Sequence, residues 1–177
     1  RTIAGVPLRL GSVLDLGCGT GLGGAAFRPA CDWLVGVDIS PGMIEQARAK
    51  GLYDRLEVAD LLEFLVTEAG ASHHLALAAD VFVYCGDLAP VAKGVAKVLA
   101  PGALFAFTVE TQDDPGVRLQ GTLRYAHSPA HVRAAIAAAG LELKHFTEAS
   151  TRNEKGAPVR GLLVVPSTPP SSTIKEA

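Results

Sequence analysis

Three glycines at alternate positions, Gly17, Gly19 and Gly21, follow an apolar run, Val13-Leu14-Asp15-Leu16, that carries a single acid. Residues without a Cβ let the backbone turn tightly and approach a ligand. A helix beginning just beyond them would offer its unpaired amides. Cys18 and Thr20 stand between the glycines and share the loop. Asp15 lies inside a strand-like run, where an unpartnered carboxylate is expensive to bury. Either it accepts hydrogen bonds from nearby loop amides, or it answers a ligand's ammonium group, directly or through water. Gly19, Gly21 and Gly24 also match the dinucleotide fingerprint G-x-G-x-x-G, so glycine spacing alone does not choose the ligand. Counted from Gly17, where the loop begins, the third fingerprint position is Leu22, and an acid within the strand is foreign to that fingerprint. Both points favour a ligand with a cationic tail over a diphosphate.

Further acids recur where apolar runs end. Asp38, in Gly36-Val37-Asp38-Ile39-Ser40, stands roughly 20 residues beyond the loop, where an acid accepts both hydroxyls of a ribose. Ser40 already supplies a helix cap before Pro41, which leaves Asp38 for the ligand. Asp60, after Leu56-Glu57-Val58-Ala59, suits a base amino group, the cap of the next helix, or both. The run Ala78-Ala79-Asp80-Val81-Phe82-Val83-Tyr84 ends where a transferred group would lie. Candidates for handling a proton are Asp80, Tyr84 and His127. Each also has a plainer role: a satisfied strand-end carboxylate, a pocket wall, and a neighbour of the Ser128 cap. His73, His74, His131 and His145 carry no comparable signal.

The elements that must position these groups alternate between strand and helix. Strand-like runs fall at residues 12–16, 33–38, 56–59, 75–84 and 103–109, and helical patterns at 41–50, 61–68 and 88–99. Pro101-Gly102 reads as a turn and 111–121 as a polar loop. Ser128 caps a helix to about Ala139, with Pro129 at its first position and Gly140 as its stop. Residues 141–147 and 160–165 predict a closing hairpin around a turn at 153–157. This is an α/β chain, Rossmann-like and doubly wound, with a mostly parallel sheet and helices on both faces. Ligands of such sheets sit beyond the carboxyl ends of the strands, where the acids lie. The expected division is one domain over 1–166 and a flexible C-terminal tail over 167–177.

Composition narrows the classes. The 177 residues are 49% hydrophobic and 19% charged with net charge -2, which describes a globular domain without a basic field for nucleic acid. No apolar run reaches the length of a membrane span, and no signal segment opens the chain. Three scattered cysteines imply neither disulfides nor a metal site, and predict reduced thiols in the cytoplasm. The chain starts without Met, so a preceding N-terminal portion, a repeat or cap region, is expected.

Residues 13–21, 36–40 with Met43, 58–62, 80–84 and 99–104 together resemble the class I S-adenosylmethionine (SAM)-dependent methyltransferases, a likeness extending over about residues 12–165. More narrowly, residues 79–84 and Arg124-Tyr125-Ala126-His127-Ser128 resemble the methyltransferase domain that follows tetratricopeptide repeats in bacterial proteins. The resemblance implies a seven-stranded sheet closed by an antiparallel hairpin. It further implies a SAM site in which the loop from Gly17 through Cys18, Gly19 and Thr20 to Gly21 cradles the methionine part. Asp38 would hold the ribose, Asp60 and Leu61 the adenine edge, Ile39 and Met43 the adenine face, with Asp15 and Ala79 completing the site. The expected activity is methyl transfer to a small-molecule or protein acceptor, giving S-adenosylhomocysteine. A SAM-binding regulatory or assembly module, or an NAD-linked oxidoreductase, are the alternatives. Ala103 stands where the family's Pro-Gly-Gly turn has its second glycine, and little chain precedes Ser12 to supply the helices that often close the substrate pocket.

Overall fold

A computed structural model describes residues 2–3, 6–7, 9–154 and 156–171. In chain order its elements are β1 (Thr2–Ile3), β2 (Val6–Pro7), β3 (Leu10–Leu16), α1 (Leu22–Phe27), β4 (Cys31–Asp38), α2 (Pro41–Ala49), β5 (Arg55–Val58), α3 (Leu61–Thr67), β6 (His73–Ala78) and α4 (Ala89–Val98). They continue with β7 (Leu99–Thr111), β8 (Val117–Leu119), β9 (Tyr125–His127), α5 (Pro129–Ala138), β10 (Glu142–Glu154) and β11 (Ala157–Ser167).

The main sheet runs β10-β11-β7-β6-β3-β4-β5, with β9 and β8 added beside the end of β7. β3, β4, β5, β6 and β7 are mutually parallel, while β11 runs antiparallel between β7 and β10. The seven-strand path and closing hairpin agree with the sequence expectation. Chain order reverses between β3 and β6, the place where open parallel sheets bind ligands.

Successive strand residues point to opposite faces, so each central strand feeds two cores. Leu14, Leu16, Val35, Val37, Ala76 and Ala78 pack with Phe64 of α3, Val91 and Val95 of α4, and Val132 and Ile136 of α5. On the other face Val13, Leu34, Leu75 and Leu77 pack with Cys31, Phe27 and Tyr53. Burial on both faces explains why these strands read as near-continuous apolar runs.

Several boundaries differ from the sequence reading. The apolar stretch at 75–84 is not one strand. β6 stops at Ala78, Asp80 takes a left-handed φ of 56°, and Phe82–Tyr84 forms a 3-10 turn. Phe82 packs on Phe105 and Phe107 with ring centroids 5.9 and 5.2 Å away, so burial of the aromatic, not strand pairing, accounts for the apolar character. Pro101-Gly102 does not interrupt β7, because Gly102 absorbs a φ of 76° within the strand. The stretch at 111–121 is not all loop. β8 pairs antiparallel with β9, held where Ser128 Oγ accepts the Gly116 N–H at 3.0 Å. Residues 167 and 168, expected in the tail, pack against the sheet. Ser167 ends β11, and Thr168 is buried with its hydroxyl donating to the Ala100 carbonyl at 2.6 Å. Residues 172–177, the rest of the expected tail, lie outside the described residues.

Candidate cofactor and acceptor site

The glycine loop joins β3 to α1. Gly17 has φ 64°, and a Cβ there would meet Val81 Cγ2 at 2.5 Å, so neither backbone nor space admits a side chain. Gly19 has φ 53°, and a Cβ would meet nothing within 4 Å, because its open side faces a cavity. Behind the loop, Asp15 is only 3% exposed and accepts a hydrogen bond from Tyr53 Oη at 2.7 Å. Burial pushes its pKa up to about 6 and the charge of Asp38 adds to the rise, while hydrogen bonds from Tyr53 and Gly24 oppose it. Cys18 is buried too, and desolvation together with the nearby Asp15 and Asp38 carboxylates pushes its thiol up to about 12.

The cavity measures about 650 Å³, within the range of small-molecule sites. Of the residues singled out for a cofactor, Gly17, Gly19, Asp38, Ile39, Met43, Asp60, Leu61 and Ala79 line it. Asp15, Cys18, Thr20 and Gly21 are not part of its lining. Asp38 Oδ2 accepts the Gly19 N–H and Oδ1 the Ser40 N–H, both at 2.9 Å, so this carboxylate fixes the loop while its outer side faces the space. Asp60 caps α3, its Oδ1 accepting the N–H groups of Leu62 at 2.8 Å and Glu63 at 3.3 Å. Ile39 is 70% exposed and Met43 40%, an apolar wall open to whatever enters.

Asp80 and Tyr84 line the same space. The Asp80 N–H donates to Thr108 Oγ1 at 2.9 Å, which steadies the left-handed backbone. Arg124 donates from Nη1 to Asp80 Oδ1 and from Nη2 to Tyr84 Oη, each at 3.1 Å, and its guanidinium lies 5.2 Å from the Tyr84 ring centroid. Arg124 also stands 3.7 Å from Glu110, a buried carboxylate that pairs with Arg152 at 2.7 Å. His127 does not reach the cavity. It is fully buried against the backbone of Phe82 and Cys85, stacked on His131 at 5.4 Å, and desolvation takes its pKa down to about 4, with the neighbouring His131 lowering it further.

Ser40, Val81 and Cys85 also line the cavity without having been assigned to it from the sequence. Tyr53 was missed altogether. Its sequence trace lay in glycines inside regular elements, Gly24 in α1 and Gly36 in β4, because a strand glycine often marks a close approach. Among the described residues no group of three or more His, Cys, Asp or Glu is placed to hold a metal ion, and no helix is long and apolar enough to cross a membrane.

A nucleoside with an amino-acid tail suits this donor and acceptor set. Asp38 offers acceptors to a ribose, Ile39 and Met43 a flat apolar face, and Gly19 an open backbone cradle. Strand order and site together define the Rossmann-like fold of the class I SAM-dependent methyltransferases, whose cofactor is SAM. A family model described as a methyltransferase domain matches residues 14–105, just over half of the chain, and the chain belongs to that family. It is 31% identical over 108 residues to a ubiquinone biosynthesis O-methyltransferase of Xylella fastidiosa (strain 9a5c), covering 59% of this chain and 44% of that protein. A SAM-dependent methyltransferase structure from Methanosarcina mazei superposes with a TM-score of 0.74 at 15% identity, covering 92% of this chain and 94% of that one. A Burkholderia thailandensis 1,6-didemethyltoxoflavin-N1-methyltransferase, solved with bound 1,6-didemethyltoxoflavin and S-adenosylhomocysteine, gives a TM-score of 0.73 at 17% identity, covering 91% of this chain and 72% of that one. The chain spans less than half the length of the curated relatives it matches.

Proposed function

We propose that this chain binds SAM in the cavity beyond β3 and β4 and transfers its methyl group to a small-molecule or protein acceptor lying against Asp80 and Tyr84. The observation that carries the reading is that one cavity, open over Gly19, is lined by both Asp38 and Asp80. SAM, when bound, supplies a methyl group already activated on a sulfonium. The protein's task is alignment and exclusion of water. Asp38 orients the ribose, Ile39 and Met43 cover the base, and the loop backbone at Gly17 and Gly19 admits the tail. Asp80, fixed by Arg124 and by Thr108, takes the proton from an acceptor that must lose one. Tyr84, itself held by Arg124, walls the acceptor side. The O-methyltransferase named among the relatives makes hydroxyl and carboxyl compounds the first acceptors to try.

Calorimetric titration with SAM, S-adenosylhomocysteine and NAD, followed by turnover against an acceptor panel, tests this function. Binding of both sulfur compounds but not NAD, with methyl transfer to at least one acceptor, is expected. Preference for NAD would overturn the cofactor, and SAM binding without turnover on any acceptor would reduce the chain to a binding module.

A further inference from the structure

We propose that Tyr53 is a positioning residue that couples Asp15 beneath the glycine loop to the first turn of α1 and thereby sets the affinity for the cofactor. This rests on the proposed SAM site. Tyr53 lies in the connection between α2 and β5, outside every regular element, yet its ring fills the space beneath the loop. A Cβ on Gly36 would stand 2.8 Å from Tyr53 Cε1, one on Gly21 would stand 3.1 Å from Cε2, and one on Gly24 would overlap Cζ and Oη. Three positions therefore leave room for one aromatic side chain. Its hydroxyl makes two hydrogen bonds that meet the two ends of the loop. It donates to Asp15 Oδ2 of β3 at 2.7 Å and accepts the Gly24 N–H of α1 at 3.1 Å.

The bridge is built to persist. Burial and the adjacent Asp15 carboxylate hold the Tyr53 phenol protonated far above its ordinary range, so the donor is always present. The groups facing Asp15 are Tyr53, Asp38 from the end of β4, and the Cys18 thiol, which stays protonated. Tyr53 is the largest contributor that favours the charged carboxylate. Tyr53 therefore holds part of the negative charge beneath the loop against the burial that opposes it, and that charge favours a cationic tail lying above.

Tyr53→Phe keeps the ring and removes the bridge. Calorimetric titration with S-adenosylhomocysteine from pH 5 to 8 reads the result, with thermal unfolding of the ligand-free protein as the check on folding. Wild type is expected to lose affinity as pH falls through about 6, where Asp15 takes a proton. Y53F is expected to bind several-fold more weakly at pH 7.5, because less of its Asp15 is ionised there, with its midpoint moved to higher pH. Asp15→Asn is expected to show no such midpoint. Unchanged affinity in Y53F, or weaker binding with an unmoved midpoint, overturns the proposal. If wild type itself does not bind S-adenosylhomocysteine, the cofactor reading fails instead. Should Y53F not fold, the wild-type Tyr53 Cζ resonance keeps the question open to test. It is expected to follow the titration of Asp15 and to shift on adding S-adenosylhomocysteine, and a resonance indifferent to both overturns the coupling.

Discussion

Asp38 serves two partners at once: it holds the amides of Gly19 and Ser40 and presents its outer side to the cavity. Asp38→Ala is expected to weaken S-adenosylhomocysteine binding by about 1.5–3 kcal/mol, the range for hydrogen bonds to a charged group. Unchanged calorimetric affinity in a folded variant would remove Asp38 from the site. At this scale the sequence is informative where chemistry and backbone need coincide. Gly17, Gly19, Asp38 and Asp60 each sit at the end of a strand or in the first few residues beyond it, and their positions follow from strand ends alone. Asp15 illustrates the limit. An acid in an apolar strand announces that it needs partners, but the partner found, Tyr53, lies 38 positions away in a connection with no period of its own. Only the glycines at 24 and 36 hinted that something bulky must approach there.

Elements were legible where a boundary has its own chemistry. The cap by Ser128, the proline after it and the stop at Gly140 set α5 from both ends, and the structure gives Pro129–Ala138 with φ 70° at Gly140. Where an apolar run simply continues, nothing marks the stop, so β6 looked long although the chain turns at Asp80. Ser128 works on two elements: its Oγ accepts from His131 at the start of α5 and from Gly116 beside β8. Ser128→Ala is therefore expected to cost about 1 kcal/mol, as for lost caps, and to lower the melting temperature by roughly 2–4 °C for a chain of this size. Scanning calorimetry measures it, and a variant as stable as wild type would show the cap to be idle.

Across the whole molecule two buried titratable groups pull stability in opposite directions. His127 has its folded pKa lowered to about 4, so the unfolded chain takes up a proton first. Its contribution is present above the unfolded value near 6.5 and is lost as pH falls toward 4, amounting to about 3 kcal/mol. Asp15 has its folded pKa raised to about 6, so its charged form burdens the fold at neutral pH, and about 3 kcal/mol is recovered as pH falls from 6 toward 4. The two nearly offset each other. Urea unfolding of His127→Phe from pH 7 to 4.5 should show stability rising relative to wild type as pH falls, and Asp15→Asn the reverse. Parallel profiles for wild type and both variants would contradict this balance.

What the site does is decided by what occupies the cavity over Gly19. A crystal structure grown with millimolar S-adenosylhomocysteine answers that directly. The predicted result places the ribose hydroxyls on Asp38, the base between Ile39 and Asp60, and the amino-acid tail along Gly17 and Gly19. An empty cavity, or the ligand bound elsewhere on the molecule, would contradict it.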